Sequence, residues 1–162
     1  MRTIIYIWVS TVPDRYGLFT KLQLQVLKLR SRGLSLREVA EKIGTTRQNI
    51  QVAEKRARNN VRVAEETILI YTLITAPLKV KIEAGTHLVD IPKIVIEKAD
   101  EAGVKVRADF TLIYKLLHFK TQECIQGPRL VKPVLILVTS RGDVEIFPYD
   151  KIKEYLTLVG DP

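Results

Sequence analysis

The chain has 162 residues and a formal net charge of +8, and 46% of its residues are hydrophobic, so we expect one large or two small folded domains. Its longest apolar runs, 4–9 and 134–138, are too short for a membrane helix, which needs roughly 20 residues. No secretory signal is evident, and a cytoplasmic protein is expected. Cys124 is the only cysteine, which excludes an internal disulfide. Together with only two histidines, His87 and His118, this single cysteine is weak evidence for a zinc site, so we expect neither a metal nor another cofactor.

The positive charge is concentrated in the first half of the chain. Residues 1–76 contain 13 Lys or Arg against 6 Asp or Glu, whereas residues 77–162 contain 13 against 12. A one-sided basic distribution favours a polyanionic partner, and nucleic acid is the commonest. Basic surfaces without a partner are also frequent, so the charge alone is not specific.

An N-terminal extension, residues 1–18, precedes the helical region. Its segment Thr3–Ser10 is rich in β-branched and aromatic residues and predicts a strand, which is too short to be stable without a partner. A first helix is predicted to begin after Thr20 and to end near Gly33, since threonine favours a helix start and glycine a helix end.

Two further helices follow after tight turns. Ser35 and Glu38 form a capping box that starts the second helix, and Gly44 ends it. A third helix is predicted from about residue 45 or 46 to residue 76, although the stretch 67–75 is also strand-like. The apolar residues of this helix are spaced by three or four and share one face: Ile50, Ala53, Ala57, Val61, Ala64, Ile68 and Tyr71.

The pattern changes at Pro77 to alternating strands and helices, which predicts a small α+β domain over residues 77–162. Strands are expected at 78–84, 104–107, 135–139 and 144–147, the last two forming a hairpin. Three helices are expected, and each begins with an aspartate as its cap: Asp90, Asp109 and Asp150.

The helices of residues 19–76 match a helix-turn-helix, so the predicted fold is α+β, with an all-helical head followed by the mixed domain. A small core is expected to fix the second and third helices, because the small Ala40 lets them approach closely. Its predicted members are Leu27, Val39, Ala40, Ile43 and Ile50.

The outer face of the third helix carries the candidate DNA contacts. Arginine can bind guanine with two hydrogen bonds, glutamine can do the same with adenine, and valine can touch a thymine methyl group. The predicted base contacts are Arg47, Gln48, Gln51 and Val52. The predicted phosphate contacts combine hydroxyl and cationic side chains: Ser35, Thr45, Thr46, Lys55, Arg56, Arg58 and Arg62.

Several segments together resemble the archaeal Tfx family of helix-turn-helix DNA-binding proteins, whose reading head is similar to the LuxR-type and sigma-factor versions. In the head these are 26–30, 33–35, 38–40 and 44–50, and beyond it 54–58, 76–77, 85–86, 90–93, 98–100 and 142–145. The resemblance covers residues 19–149 and implies a transcriptional regulator. The extension 1–18 and an apolar Leu22 depart from the family pattern.

Three other functions remain open from the sequence. In the first, the chain is an effector-sensing regulator: its C-terminal domain binds a small ligand and shifts the DNA-reading head, with 85–87 and 127–128 edging a pocket. A DNA-processing enzyme would need clustered carboxylates, but capping and helix surfaces account for the candidates: Asp90, Glu97, Asp100, Glu101 and Asp109. RNA binding is disfavoured because no aromatic platform for stacking bases stands out in the sequence.

A homodimer is expected, because a single helix-turn-helix usually reads one of two paired half-sites. The apolar stripe of the third helix and the unpaired strand Thr3–Ser10 both favour self-association. The sequence therefore predicts double-stranded DNA and a second copy of the chain as partners.

Overall fold

The structure, a computed structural model, describes residues 15–160, and the strand expected at Thr3–Ser10 lies outside them. The chain divides into two compact units between Thr67 and Ile68. The predicted α+β class is confirmed. The domain ranges 19–76 and 77–162 stay a prediction, because compactness does not test independent folding.

The first unit is built mainly from helices. A short antiparallel hairpin comes first and is not predicted by the sequence pattern. It pairs two strands of two residues each, Arg15–Tyr16 (β1) and Phe19–Thr20 (β2). Three helices follow: α1 Lys21–Ser31, α2 Leu36–Ile43 and α3 Arg47–Thr75. Helix α3 begins in the first unit and ends in the second. Because it continues to Thr75, the stretch 67–75, whose composition is also typical of a strand, is helical.

Local side-chain caps define where α1 and α2 begin. The Thr20 hydroxyl accepts the Gln23 N–H at 3.3 Å, and the Gln23 side chain accepts the Thr20 N–H at 2.9 Å. Ser35 and Glu38 form the predicted capping box in the same way, at 3.3 and 2.7 Å. Gly44 ends α2 with a φ of 77°, a left-handed conformation that glycine adopts without steric cost.

The core of the first unit lies between these three helices. Its buried members are Val26, Val39, Ala40, Ile50 and Ala53, with Leu22, Leu29, Leu34, Leu36 and Ile43 packed around them. The prediction of Leu27 as a core residue is wrong, because that side chain is only half-buried. The buried face of α1 instead follows Leu22, Val26 and Leu29, which are four and three residues apart.

The second unit is a three-stranded antiparallel sheet with helices. The sheet order is β3 (Leu78–Ile82), β6 (Val134–Val138) and β7 (Val144–Pro148), so the predicted hairpin is confirmed. The remaining elements are α4 Ile91–Glu101, α5 Phe110–Lys120, a 3₁₀ turn Gln122–Cys124, the short hairpin Ile125–Gln126 (β4) and Arg129–Leu130 (β5), and α6 Tyr149–Val159.

Strand β6 is buried along its whole length because apolar layers cover both faces of the sheet. Ile136 and its alternate neighbours face one layer, which includes side chains of α4 and α5. Leu135 and Leu137 face the other layer, which includes Leu73 at the end of α3 and Ile152 of α6. A strand covered on both sides reads as a continuous apolar run rather than an alternating one.

Three predictions for the second unit are wrong. Residues 104–107 form no strand, because the only ladder-like bond there joins the Arg107 N–H to the Gly142 carbonyl at 2.9 Å. Asp90 makes no side-chain cap, since its backbone is already helical. Pro148 rather than Asp150 precedes α6, and Asp150 lies in its first turn. The Asp109 cap is confirmed at 2.8 Å from the Leu112 N–H.

Of the helices within residues 15–160, none combines the length and apolar character that a membrane crossing requires.

Replacing Ser35 with alanine should lower the free energy of unfolding by about 1 kcal/mol, because the Glu38 N–H at the start of α2 loses its hydroxyl acceptor. Urea unfolding followed by circular dichroism measures the change. Ser31→Ala is the control, since this exposed hydroxyl donates to the Lys28 carbonyl and caps no N–H. Equal destabilisation by both substitutions would contradict the capping role of Ser35.

Candidate nucleic-acid interface

The start of α3 is fixed by two threonine side chains. The Thr46 hydroxyl accepts the Asn49 N–H at 3.1 Å, and the Asn49 amide donates to the Thr45 hydroxyl at 3.0 Å. The side chain of Asn49 is thereby turned back towards the α2–α3 turn. A hydroxyl that accepts one bond can still donate its own hydrogen, so both threonines keep a donor for a further acceptor.

The first two turns of α3 have one buried and one exposed side. Ile50 and Ala53 are buried against α1 and α2. The predicted base contacts Arg47, Gln48 and Gln51 are all exposed, and Val52 is 40% exposed. The structure thus brings the four candidates together on the outward side of a helix whose inward side is held in the core.

Lys55 lies between two shallow grooves that flank this face. One groove is lined by Val52, Lys55, Arg56, Asn59 and Asn60. The other groove runs from the beginning of α2 to the exposed side of α3. It is lined by Leu36, Gln51, Glu54, Lys55 and Arg58. Ser35, the exposed cap of α2, directly precedes Leu36, which is one of the residues that line the second groove.

The candidate cations fall into two groups. Arg58 donates two hydrogen bonds to Glu54, at 2.7 and 3.3 Å, and Arg62 pairs with Glu66 at 3.4 Å. Arg47, Lys55 and Arg56 are exposed and form no ion pair with any residue from 15 to 160. Two of the predicted phosphate contacts are therefore engaged with carboxylates of their own helix.

Glu54 is a junction that the sequence pattern does not reveal. Besides Arg58, its carboxylate accepts the Arg30 Nε–H at 3.2 Å, and Arg30 also donates to the Leu34 carbonyl at 2.6 Å. The network ties α1 and the α1–α2 turn to α3. The spacing of Glu54 and Arg58 by four residues is visible in the sequence, but Arg30 lies 24 residues away from Glu54.

The pKa of Glu54 is lowered from its ordinary value of 4.5, first by the hydrogen bond from Arg58. Burial opposes this shift, and the charges of Arg30 and Arg58 add to it. A carboxyl group with a depressed folded-state pKa stabilises the protein above its unfolded pKa. That contribution is lost as the pH falls through the folded-state value.

Glu54→Gln should therefore destabilise the protein most at neutral pH and progressively less below pH 4.5. Urea unfolding of wild type and variant across this pH range measures the difference in unfolding free energy. Comparing the two proteins at each pH cancels the titration of other carboxyl groups, such as Glu38.

Glu65→Gln serves as the control for that series. Glu65 is exposed, lies on the same helix and forms no ion pair with the rest of residues 15–160. Its difference from wild type should stay small at every pH. A pH-independent difference for Glu54→Gln would show that the charge of Glu54 does not stabilise the fold.

An aromatic row on α5 is a second feature that the sequence pattern did not single out. The rings of Phe110 and Tyr114 are nearly parallel with centroids 6.5 Å apart, and His118 lies 4.8 Å beyond Tyr114. Their spacing by four residues is the signal that identifies such a row on a helix.

Three of the five carboxylates considered for a DNA-processing enzyme have local partners. Glu97 and Glu101 pair with lysines of their own helix, and Asp109 caps α5. Within residues 15–160 no group of three or more His, Cys, Asp or Glu side chains is arranged to hold a metal ion.

Comparison with known proteins finds a matching family model and similar proteins in archaea. Residues 64–146 match the family model described as DNA-binding protein, TFX, C-terminal part. A Methanocaldococcus jannaschii protein, named provisionally as a transcriptional regulatory protein, is 41% identical over 78% of this chain and 93% of its own length. A Haloarcula marismortui protein with the same provisional description is 36% identical over 80% and 82%. The DNA-binding protein Tfx of Methanothermobacter marburgensis is 27% identical over 77% and 91%.

Proposed function

Because the chain belongs to the TFX family of DNA-binding proteins, we propose that it regulates transcription by reading double-stranded DNA with the outward side of α3. The observation that carries this proposal is the exposure of Arg47, Gln48 and Gln51 opposite the buried Ile50 and Ala53. A helix presented in this way fits the major groove, which is wide enough for one helix.

The base contacts follow from the chemistry of these side chains. Arg47 offers two N–H donors to the O6 and N7 atoms of guanine, and its lack of an ion pair within residues 15–160 leaves them available. Gln48 and Gln51 each match the N6 and N7 atoms of adenine, while Val52 offers an apolar surface to a thymine methyl group.

The phosphate contacts hold the helix in register without reading sequence. Lys55 and Arg56 supply exposed charge beside the two grooves, and the hydroxyls of Ser35, Thr45 and Thr46 can donate to phosphate oxygens. The remaining two candidates, Arg58 and Arg62, reach phosphate only by exchanging a glutamate partner for it.

Arg47→Ala should reduce the preference for the best-bound duplex by about 1–3 kcal/mol, because the paired donors to guanine are lost. The target duplex is obtained by selecting bound sequences from a random pool. Fluorescence anisotropy then compares this duplex with one in which a single guanine is replaced.

Lys55→Ala is the matched comparison, since it removes a cation from the same exposed side of the helix. It should weaken both duplexes equally and make the salt dependence of log K shallower by about 0.9. If Arg47→Ala retained full discrimination between the two duplexes, the proposed reading face would be wrong.

We further propose that the chain binds DNA as a homodimer. Within the second unit, α3 presents Ile68, Tyr71 and Ile74 to solvent, with exposures of 65, 67 and 61%. Three large apolar side chains on neighbouring turns of one helix mark a surface that a second copy can cover. A two-fold symmetric dimer would present two copies of α3, one to each of two paired half-sites on DNA.

Ile68→Glu combined with Tyr71→Glu should shift the protein from dimer to monomer in sedimentation velocity runs at micromolar concentration, because two charges would be desolvated at the interface. Leu158→Glu is the control, since Leu158 is 80% exposed but lies on α6. A wild-type protein that sediments as a monomer with and without its duplex would contradict the homodimer.

A further inference from the structure

Glu54 holds two guanidinium groups with one carboxylate. Its side chain is only 12% exposed, and one oxygen accepts two N–H groups of Arg58 while the other accepts the Arg30 Nε–H. Hydrogen bonds between ionised partners are stronger than neutral ones, and water competes less for a nearly buried carboxylate. Glu54 therefore holds the guanidinium groups of Arg30 and Arg58 in place through hydrogen bonds.

The two arginines differ in what they can reach. Arg30 is anchored at both ends, because it also donates to the Leu34 carbonyl at 2.6 Å. Arg58 is 70% exposed and shares a groove with Gln51 and Lys55. The positions 51, 55 and 58 are spaced by four and three, so these side chains follow one side of α3. Arg58 is thus the arginine that would meet a phosphate beside the reading face.

We propose that Glu54 withholds Arg58 from the DNA backbone and thereby sets the strength of sequence-independent binding, an inference that rests on the proposed DNA-binding function. A phosphate contact strengthens binding to every sequence alike, whereas base contacts strengthen binding to one. Neutralising Arg58 lowers the affinity for all duplexes and leaves the contribution of Arg47, Gln48 and Gln51 unchanged. Glu54 therefore weakens and shortens binding to every site by the same factor, and the ratio between a selected and a random duplex is unchanged.

The test measures binding of the full chain to its selected duplex and to a random-sequence duplex of equal length across a salt series. Glu54→Gln keeps the size of the side chain and removes its charge, which releases Arg58. Both duplexes should bind more tightly by the same factor, and the slope of log K against log salt should steepen by about 0.9 for each of them, as one added phosphate contact requires. Lowering the salt from about 200 to about 50 mM should then gain roughly threefold more binding than it does for wild type.

Two variants separate this effect from a general gain of positive charge. Glu65→Gln removes the same charge from α3 but releases no arginine, and its slope should equal that of wild type. Adding Arg58→Ala to Glu54→Gln should restore the wild-type slope. Equal steepening in Glu65→Gln, or persistence of the steeper slope in the double variant, would overturn the inference.

If circular dichroism shows that Glu54→Gln fails to fold, Arg58→Ala in the wild-type background tests the inference independently. Because Glu54 already neutralises Arg58, removing the Arg58 side chain should leave the slope of log K against log salt close to that of wild type. A slope shallower by about 0.9 would show that Arg58 contacts phosphate despite Glu54 and would overturn the inference. Failure of wild type to bind any duplex would instead overturn the proposed function itself.

Discussion

The burial of one side of α3 beneath α1 and α2 is the constraint on which the rest depends. Ile50 and Ala53 contribute to the same small core as Val26, Val39 and Ala40, so the rotation of α3 about its axis is set by packing. A helix fixed in this way must present its opposite side chains to solvent. The proposed reading face is consequently defined by the packing of Ile50 and Ala53 in the core, and a substitution in the core would move every candidate contact at once.

Charge has two uses in this protein, and the sequence does not separate them. Arg30, Arg37, Arg58 and Arg62 pair with carboxylates in the first unit, whereas Arg47, Lys55 and Arg56 are exposed without such a partner within residues 15–160. A count of basic residues therefore overstates the charge that can act on a polyanion. The distribution of the acidic side chains decides which of the cations remain available.

The features that sequence could predict are those that depend on near neighbours. The Ser35–Glu38 capping box, the Gly44 helix end and the β6–β7 hairpin all follow from residue types at fixed short spacings. Sequence placed Leu27 in the core where the structure buries Val26, because the rotation of α1 against its neighbours is not determined by local spacing. The same holds for the Arg30–Glu54 contact, since it joins two helices that meet only in the folded unit.

The most direct test of the reading face is a titration of the full, ¹⁵N-labelled chain with its selected duplex, followed by amide chemical shifts. The account predicts that the largest perturbations fall on residues 45–56, with smaller ones at the start of α2 around Ser35. Perturbations confined to residues 78–160, or none at a saturating concentration of duplex, would contradict it.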